Sequence, residues 1–468
     1  MNFRIPILLI LSLLFVKSFA QKEVVSMKID GTSKLKNKEG FNLLNTETDD
    51  LAMILMDKNT LVANLFDKDF DLKSTLAFDS PKQTNILGYK INGNTYKILF
   101  SNNSRKKFSV VNINFDSKRT STQDFIFDFG DEKYLGSVHY KNQLYVFSAN
   151  RDNDFIIREL TDKDFSTLKT LSVDSKKSNE KLLKFPKAQS FVSIQPNLTL
   201  IDNRVPNAIE QTASENKLYQ KDKFLYLSTE DQEGKQTILY KIDLGNLNLS
   251  ERSYEYPNGE IGDFNNYNSF ILDDHIFQLG SSKDELKFHI KNFDNEILNV
   301  FYIKKDKPID FINSAIFQEG GFLSFKDKRE LEDTSKYLRK VSADKIGITG
   351  FKDRELYHFT IGGFREFVGG GGGGMIMPSG EYGVNLSQNP THYAYSSYST
   401  TTSTFFNTHL DTNFNYVSFE GSENIFDKIK AYKKTIKFDT AEDVFVHQGK
   451  VYFSSYDSWN KTFKIIEM

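Results

Sequence analysis

The side chains best suited to ligand binding lie in one segment rich in aromatic and hydroxyl residues, from Thr391 to Ser399. Aromatic rings provide a large stacking area at a small cost in conformational entropy, so this composition is typical of surfaces that contact a sugar or a peptide. The four candidate ligand-binding residues are His392, Tyr393, Tyr395 and Tyr398. The alternative is that the segment is a strand whose alternate tyrosines face a core on one side.

The second candidate is a glycine-rich loop from Ile361 to Val384, which contains ten of the 27 glycines. Its six consecutive glycines are Gly369, Gly370, Gly371, Gly372, Gly373 and Gly374. A phosphate-binding loop is excluded, because Met375-Ile376-Met377-Pro378 follows in place of a helix. Close apolar flanks favour a long hairpin tip or blade connection that can fold over a site, with a simple flexible linker as the alternative.

Other catalytic and metal-binding patterns are not found in the sequence. The seven histidines have no tight ligand spacing and there is no cysteine, so we predict no metal site, no cofactor and no disulfide. No Gly-x-Ser-x-Gly turn or cysteine nucleophile suggests covalent catalysis. The 62 acidic residues allow too many pairings for a glycosidase pair to be recognised.

The elements that position these residues are short strands with alternating aromatics, separated by polar turns. One unit recurs: a polar turn, a strand, a polar hairpin tip and often a second strand. Its clearest copies are 92–101, 141–148 and 221–228. Weaker copies are 273–280, 318–325, 391–398 and 447–455, and a degenerate copy is 190–201. Second strands are predicted at 107–114, 155–160, 237–243 and 463–466.

Repeats of several strands every 40 to 50 residues or so are typical of β-propellers. In the pattern of polar turn, Leu-Tyr-Val/Leu, Ser, polar tip and Ile-x-x-Ile-Asp, the chain resembles the broad class of bacterial secreted β-propeller proteins, without matching a named family. We count six to eight repeat units in the sequence and therefore predict an all-β propeller of six to eight blades, of which seven is favoured. The strand at Leu51 to Met56 is expected to complete the last blade. Two β-sandwich domains are the alternative.

The first 20 residues are predicted to be a signal peptide cleaved after Ala20. They contain, in this order, a basic residue, a short apolar run and the small residues that a signal peptidase requires. Residues 21–45 are then an N-terminal extension, and 46–468 are the propeller domain with its glycine-rich loop at 361–384. We expect export to the periplasm, with the cell surface or the medium as alternatives. No later apolar run predicts a transmembrane anchor.

The formal net charge of −2 gives no electrostatic reason to expect a nucleic-acid partner. The sequence favours a non-catalytic binding or scaffold protein of the bacterial cell envelope that contacts a glycan, a peptide or a protein through blade loops. The alternative is an extracytoplasmic propeller enzyme that acts on polysaccharide, with acids and histidines gathered from several blades.

Overall fold

The computed structural model describes residues 21–29, 39–173, 182–184, 195–319, 329–364, 389–398, 403–419 and 423–468. The predicted signal peptide and the glycines from Gly369 to Gly374 lie outside these ranges. Within them the protein is predominantly antiparallel β-structure, as the alternating aromatic pattern predicts. No helix in the described ranges is long and apolar enough to cross a membrane.

In the described ranges, short strands account for most of the secondary structure, with four helices between them. Up to residue 201, the strands are β1 (Lys22–Lys28), β2 (Glu39–Leu44), β3 (Leu51–Met56), β4 (Thr60–Phe66), β5 (Leu72–Asp79), β6 (Asn85–Asn92), β7 (Thr95–Ser101), β8 (Lys107–Asn114), β9 (Arg119–Ile126), β10 (Lys133–Tyr140), β11 (Gln143–Ala149), β12 (Asp154–Leu160), β13 (Phe165–Ser172), β14 (Leu183–Lys184), β15 (Gln195–Pro196) and β16 (Thr199–Ile201). The following elements are α1 (Ile209–Thr212), β17 (Asn216–Lys221), β18 (Phe224–Asp231), β19 (Gln236–Asp243), β20 (Asn248–Glu255), β21 (Asn266–Leu272), β22 (His275–Ser281), β23 (Glu285–Asn292), β24 (Ile297–Lys304), β25 (Ile316–Gln318), β26 (Arg329–Leu331) and α2 (Thr334–Ala343). The last ones are β27 (Lys345–Asp353), β28 (Leu356–Phe364), α3 (Pro390–Tyr398), β29 (Ser403–Leu410), α4 (Ile425–Lys433), β30 (Asp439–His447), β31 (Lys450–Asp457) and β32 (Thr462–Glu467).

The chain divides into two compact units, and both contain parts of the predicted repeat domain 46–468. Of the described residues, those within 21–44, 48–77 and 428–468 form unit 1, and those within 45–47 and 78–427 form unit 2. Two four-stranded sheets make up the described part of unit 1, in the spatial orders β1-β32-β31-β30 and β2-β3-β4-β5. The strands β1 and β2 lie in the predicted N-terminal extension, so this segment contributes to both sheets.

The prediction that Leu51–Met56 completes the C-terminal blade is wrong. That segment is β3, an inner strand of the second sheet, and the strand paired with the C-terminal β32 is β1. All six residues of β3 are buried, so the strand needs cover on both faces and neighbours on both edges. By contrast, β1 is buried only at Val25 and its other residues are exposed or half-buried, which suits an edge strand.

In unit 2 the described strands form five sheets of four or five strands and one short pair, β14-β15. Three of the sheets are simple meanders, in the orders β6-β7-β8-β9, β10-β11-β12-β13 and β21-β22-β23-β24. The fourth, β16-β17-β18-β19-β20, adds a short parallel strand, and the fifth has the order β26-β25-β29-β28-β27. Strands at the ends of different sheets pack on each other, as β10 does on β6 and β27 does on β21.

Tight two-residue turns explain why the polar turn recurs in the sequence. Lys141 and Asn142 connect β10 to β11 with φ of 47° and 57°, and Asp273 and Asp274 connect β21 to β22 with φ of 47° and 62°. Positive φ at both central residues defines the turn whose twist matches that of paired strands. Asn and Asp tolerate this conformation better than most residues, so these turns fix the hairpin register.

The predicted hairpins at 92–114, 141–160, 221–243 and 447–466 are confirmed as β7-β8, β11-β12, β18-β19 and β31-β32. The weaker copy at 273–280 corresponds to β22. The predicted repeat copies at 318–325 and 190–201 lie partly outside the described residues. Burial is lowest in the last strands of two sheets, β9 and β20, which expose most of their side chains.

A buried ion pair lies within the sheet that contains β17 to β20. Lys217 on β17 and Glu230 on β18 are 0% and 1% exposed, with Nζ 2.7 Å from Oε1. The carboxylate also accepts hydrogen bonds from the backbone N–H and hydroxyl of Ser269 on β21 and from the hydroxyls of Tyr256 and Thr237. Glu230 thereby joins its own sheet to the next one in unit 2.

Candidate functional site: an exposed aromatic pair

The four residues predicted to bind a ligand lie on a helix, so the predicted strand at 391–398 is wrong. They belong to α3, which begins at Pro390. The side chain of Asn389 accepts hydrogen bonds from the N–H groups of Thr391 and His392, at 3.1 and 3.3 Å. Asparagine before proline is a strong helix start, because the side chain caps the first free N–H groups and proline fits the first turn.

Helix α3 uses its tyrosines mainly for packing within unit 2. Tyr395 is only 5% exposed and its ring contacts Phe426 with centroids 5.3 Å apart. Tyr398 also contacts Phe426, and its hydroxyl accepts a hydrogen bond of 2.7 Å from Asn424. The Thr391 hydroxyl donates to the buried carboxylate of Asp202 at 2.6 Å. His392 and Tyr393 are half-buried, so none of the four predicted residues is fully exposed.

The aromatic side chains that the structure does expose together are Phe438 and Trp459, both in unit 1. Trp459 is 76% exposed and Phe438 is 54% exposed. Their ring centroids are 5.7 Å apart and the ring planes differ by 26°, so the pair is stacked. We call Phe438 and Trp459 the aromatic pair. Fully burying a tryptophan stabilises a protein by several kcal/mol, and this chain leaves its single tryptophan in solvent.

Backbone hydrogen bonds hold the aromatic pair in place. Trp459 lies in the turn between β31 and β32, and Asp457 Oδ1 accepts from the N–H groups of Trp459 and Asn460 at 2.8 and 2.9 Å. Burial alone raises the pKa of Asp457, but the hydrogen bonds from Asn460 and Trp459 outweigh burial and hold the pKa below its usual value. The N–H and hydroxyl of Ser458 both donate to the carbonyl of Phe438. The two loops are therefore fixed to each other.

Polar and basic side chains surround the aromatic pair. Lys437 precedes Phe438, and Ser458, Asn460 and Lys461 flank Trp459, and all four are exposed. A flat apolar face with hydrogen-bonding groups at its rim can stack against a ring that is apolar on its face and polar at its edge. Sequence reasoning missed this pair, although Asp-Ser-Trp-Asn-Lys places the only tryptophan in a polar turn.

The histidines do not gather at one place among the described residues. Burial lowers the pKa of His139, His289 and His409 to about 4 each, so these rings are neutral at pH 7. His139 stacks on Tyr89 and accepts its N–H, whereas His409 contacts His358 across β28 and β29. In the described ranges no group of three or more potential ligands from His, Asp and Glu could hold a metal ion.

Comparison with protein families and with curated proteins yields no match. Among solved structures, the N-terminal domain of Nup159 aligns over 95% of this chain and 94% of its own, with 9% identity and a TM-score of 0.32. The WD40 domain of SCAP from fission yeast covers 89% of this chain and 81% of its own, with 10% identity and a TM-score of 0.31.

A third similar structure is a mutant of the Synechocystis apocarotenoid oxygenase, with 9% identity and a TM-score of 0.29. The alignment covers 58% of this chain and spans 62% of the length of the oxygenase. Identity is close to a tenth in all three comparisons, so the function proposed below rests on the residues of this chain itself.

Proposed function

We propose that this chain is an exported, non-catalytic binding protein of the bacterial cell envelope, and that it binds a glycan by stacking a sugar ring on Phe438 and Trp459. The observation that carries the proposal is the exposure of two stacked aromatic rings on loops that are pinned by backbone hydrogen bonds. The proposed location is the periplasm, based on the predicted signal peptide.

We further propose that the sheets are the seven blades of a β-propeller. Seven sheets of four or five strands follow one another along the described parts of the chain. The first described strand, β1, pairs with the last one, β32, in one sheet. A sheet that combines both ends of the chain is what closure of a repeat ring requires, because closure removes exposed strand edges.

The geometry of the aromatic pair favours a sugar as ligand. The two rings are stacked with their planes 26° apart, and 76% of Trp459 remains exposed. A sugar ring has one face of C–H groups that can cover an aromatic ring, and its hydroxyls can reach Ser458, Asn460 and the two lysines at the rim. Because the Asp457 turn already holds Trp459, binding orders few additional groups.

The test is a glycan array probed with the purified wild-type protein and with Trp459→Ala and Phe438→Ala. We expect one class of neutral oligosaccharide to bind, and we expect either substitution to weaken its binding by about tenfold or more. Phe419→Ala is the matched control, because Phe419 is an aromatic residue of unit 2 with 42% exposure.

Two results would contradict the proposal. One is an array on which no glycan binds, and the other is binding that both substitutions leave unchanged. Release of reducing ends during incubation would instead favour the alternative of an enzyme that cleaves polysaccharide. Capture of a peptide or protein through Trp459, with no glycan bound, would retain the site and replace its ligand.

A further inference from the structure

A cleft of about 530 Å³ lies between three segments of unit 2. Its walls are residues 261–265 between β20 and β21, residues 282–284 between β22 and β23, and residues 339–343 at the end of α2. We call this the basic cleft. Its volume lies within the range of small-ligand sites, which span roughly 300 to 1,000 Å³.

The first wall is held by a buried carboxylate. Glu285 is 0% exposed and accepts hydrogen bonds from three consecutive backbone N–H groups, those of Glu260, Ile261 and Gly262, at 3.0, 2.8 and 3.2 Å. The Tyr302 hydroxyl donates to the same carboxylate. Gly259 permits this turn, because a Cβ there would lie 1.9 Å from the carbonyl oxygen of Gly262. The loop is therefore fixed before any ligand arrives.

The other two walls are also held by hydrogen bonds. The side-chain amide of Asn266 on β21 donates to the carbonyls of Ser342 and Asp344 at 2.7 and 3.2 Å, which fixes the end of α2 against β21. The Ser282 hydroxyl accepts from the N–H groups of Asp284 and Glu285. A preformed cleft loses little entropy when it binds a ligand.

Two cations that line the basic cleft form no ion pair with an acidic side chain among the described residues. Asp284 is paired with Lys305, with Oδ1 2.6 Å from Nζ, and Asp263 lies 3.6 Å from Lys235. Lys283 and Arg339 have no such ion pair in the described ranges, and both are exposed. A guanidinium can bind both oxygens of a carboxylate or a sulfate, and an ammonium adds a second attraction to the same group.

The remaining lining residues suit a polyol. Ser282, Ser342 and Asn265 offer hydroxyl and amide groups, and Asp284 offers an acceptor for hydroxyl donors. Ile261 is 59% exposed and provides an apolar face at one wall. We propose that the basic cleft binds an acidic sugar residue, with its carboxylate or sulfate at Arg339 and Lys283 and its ring against Ile261.

The experiment is isothermal titration of the purified protein with trigalacturonic acid, a sulfated galactose oligosaccharide, neutral galactotriose and a hexaglutamate peptide. We expect an acidic saccharide to bind and galactotriose to bind at least tenfold more weakly. Which acidic saccharide binds tells whether the cleft takes a carboxylate or a sulfate. Arg339→Gln and Lys283→Gln should each weaken that binding by about tenfold or more, since hydrogen bonds to charged groups are the strong ones.

Lys336→Gln is the matched control, because Lys336 is an exposed cation on the same helix and pairs with Asp333. Lys336→Gln should leave the binding of the acidic saccharide unchanged. Trp459→Ala should also leave it unchanged, because the basic cleft and the aromatic pair are separate sites. Three results would overturn the proposal: no binding of either acidic saccharide, equal binding of hexaglutamate, or binding that is insensitive to both Arg339→Gln and Lys283→Gln.

Discussion

Breaking the buried pair of Lys217 and Glu230 from either side should destabilise the protein unequally. Glu230→Gln leaves the Lys217 ammonium without a negative partner and with only neutral acceptors, the new amide oxygen and the Ser214 carbonyl at 2.8 Å. Lys217→Met leaves the carboxylate with four donors, the N–H and hydroxyl of Ser269 and the hydroxyls of Tyr256 and Thr237. The ammonium is therefore the worse-compensated charge when its partner is removed.

Removing one partner of a buried pair destabilises a protein by about 3 to 5 kcal/mol. Because the carboxylate keeps more partners than the ammonium does, we expect Glu230→Gln to destabilise the protein by about 5 kcal/mol and Lys217→Met to destabilise it by about 3 kcal/mol. The double variant should lose at least about 2 kcal/mol less than the sum of the two single variants, because it leaves neither charge unpaired.

The assay is urea unfolding at pH 7 followed by far-UV circular dichroism. The matched control is Lys223→Met, because Lys223 pairs with Asp243 in the same sheet but is 43% exposed. Exposed pairs contribute about 1 kcal/mol or less. The reasoning is refuted if Lys217→Met destabilises more than Glu230→Gln, or if both variants unfold together with the Lys223→Met control.

Three further predictions concern pH, helix α3 and the loop over Glu285. Burial lowers the pKa of His139, His289 and His409 to about 4. Between about pH 4 and 6.5 the unfolded chain therefore binds more protons than the folded chain, so the free energy of unfolding should fall as the pH falls through that window. His409→Gln should reduce the loss between pH 7 and 5 by roughly 1 to 2 kcal/mol in urea unfolding, and an unchanged pH dependence would contradict the assignment. Tyr395→Ala should leave a cavity beside Phe426 and destabilise the protein by about 3 kcal/mol in urea unfolding. A stability equal to that of the wild type would mean that Tyr395 is not a core residue. Gly259→Ala should destabilise by about 1 to 3 kcal/mol because its Cβ collides with Gly262, whereas Gly262→Ala, which meets no atom within 4 Å, should have a smaller effect in the same assay.

Much of the strand structure could be predicted from the sequence, because its signals are local. Alternating aromatics and polar two-residue turns are enough to place hairpins such as β7-β8 and β11-β12. The partner of the C-terminal hairpin could not be predicted in the same way. Both β1 and β3 are plausible strands, and the choice depends on which of them is covered on both faces.

The site was harder to predict than the strands. Tyr393 and Tyr395 alternate as in a strand, but Asn389 and Pro390 start a helix. The rings of Tyr395 and Tyr398 contact Phe426. The aromatic pair joins Trp459 to Phe438 on another loop, so no local sequence pattern marks it. The basic cleft combines residues from three separate segments, so no local motif marks it.

The most direct test of the proposed function is a fluorescence titration of Trp459. Because it is the only tryptophan, all tryptophan emission of the protein comes from the aromatic pair. With the neutral oligosaccharide selected on the array, we predict a saturable blue shift of the tryptophan emission. In Phe438→Ala the affinity obtained from this titration should be about tenfold weaker. An emission spectrum unchanged at millimolar oligosaccharide, or a shift that is identical in Phe438→Ala, would contradict glycan binding at this site.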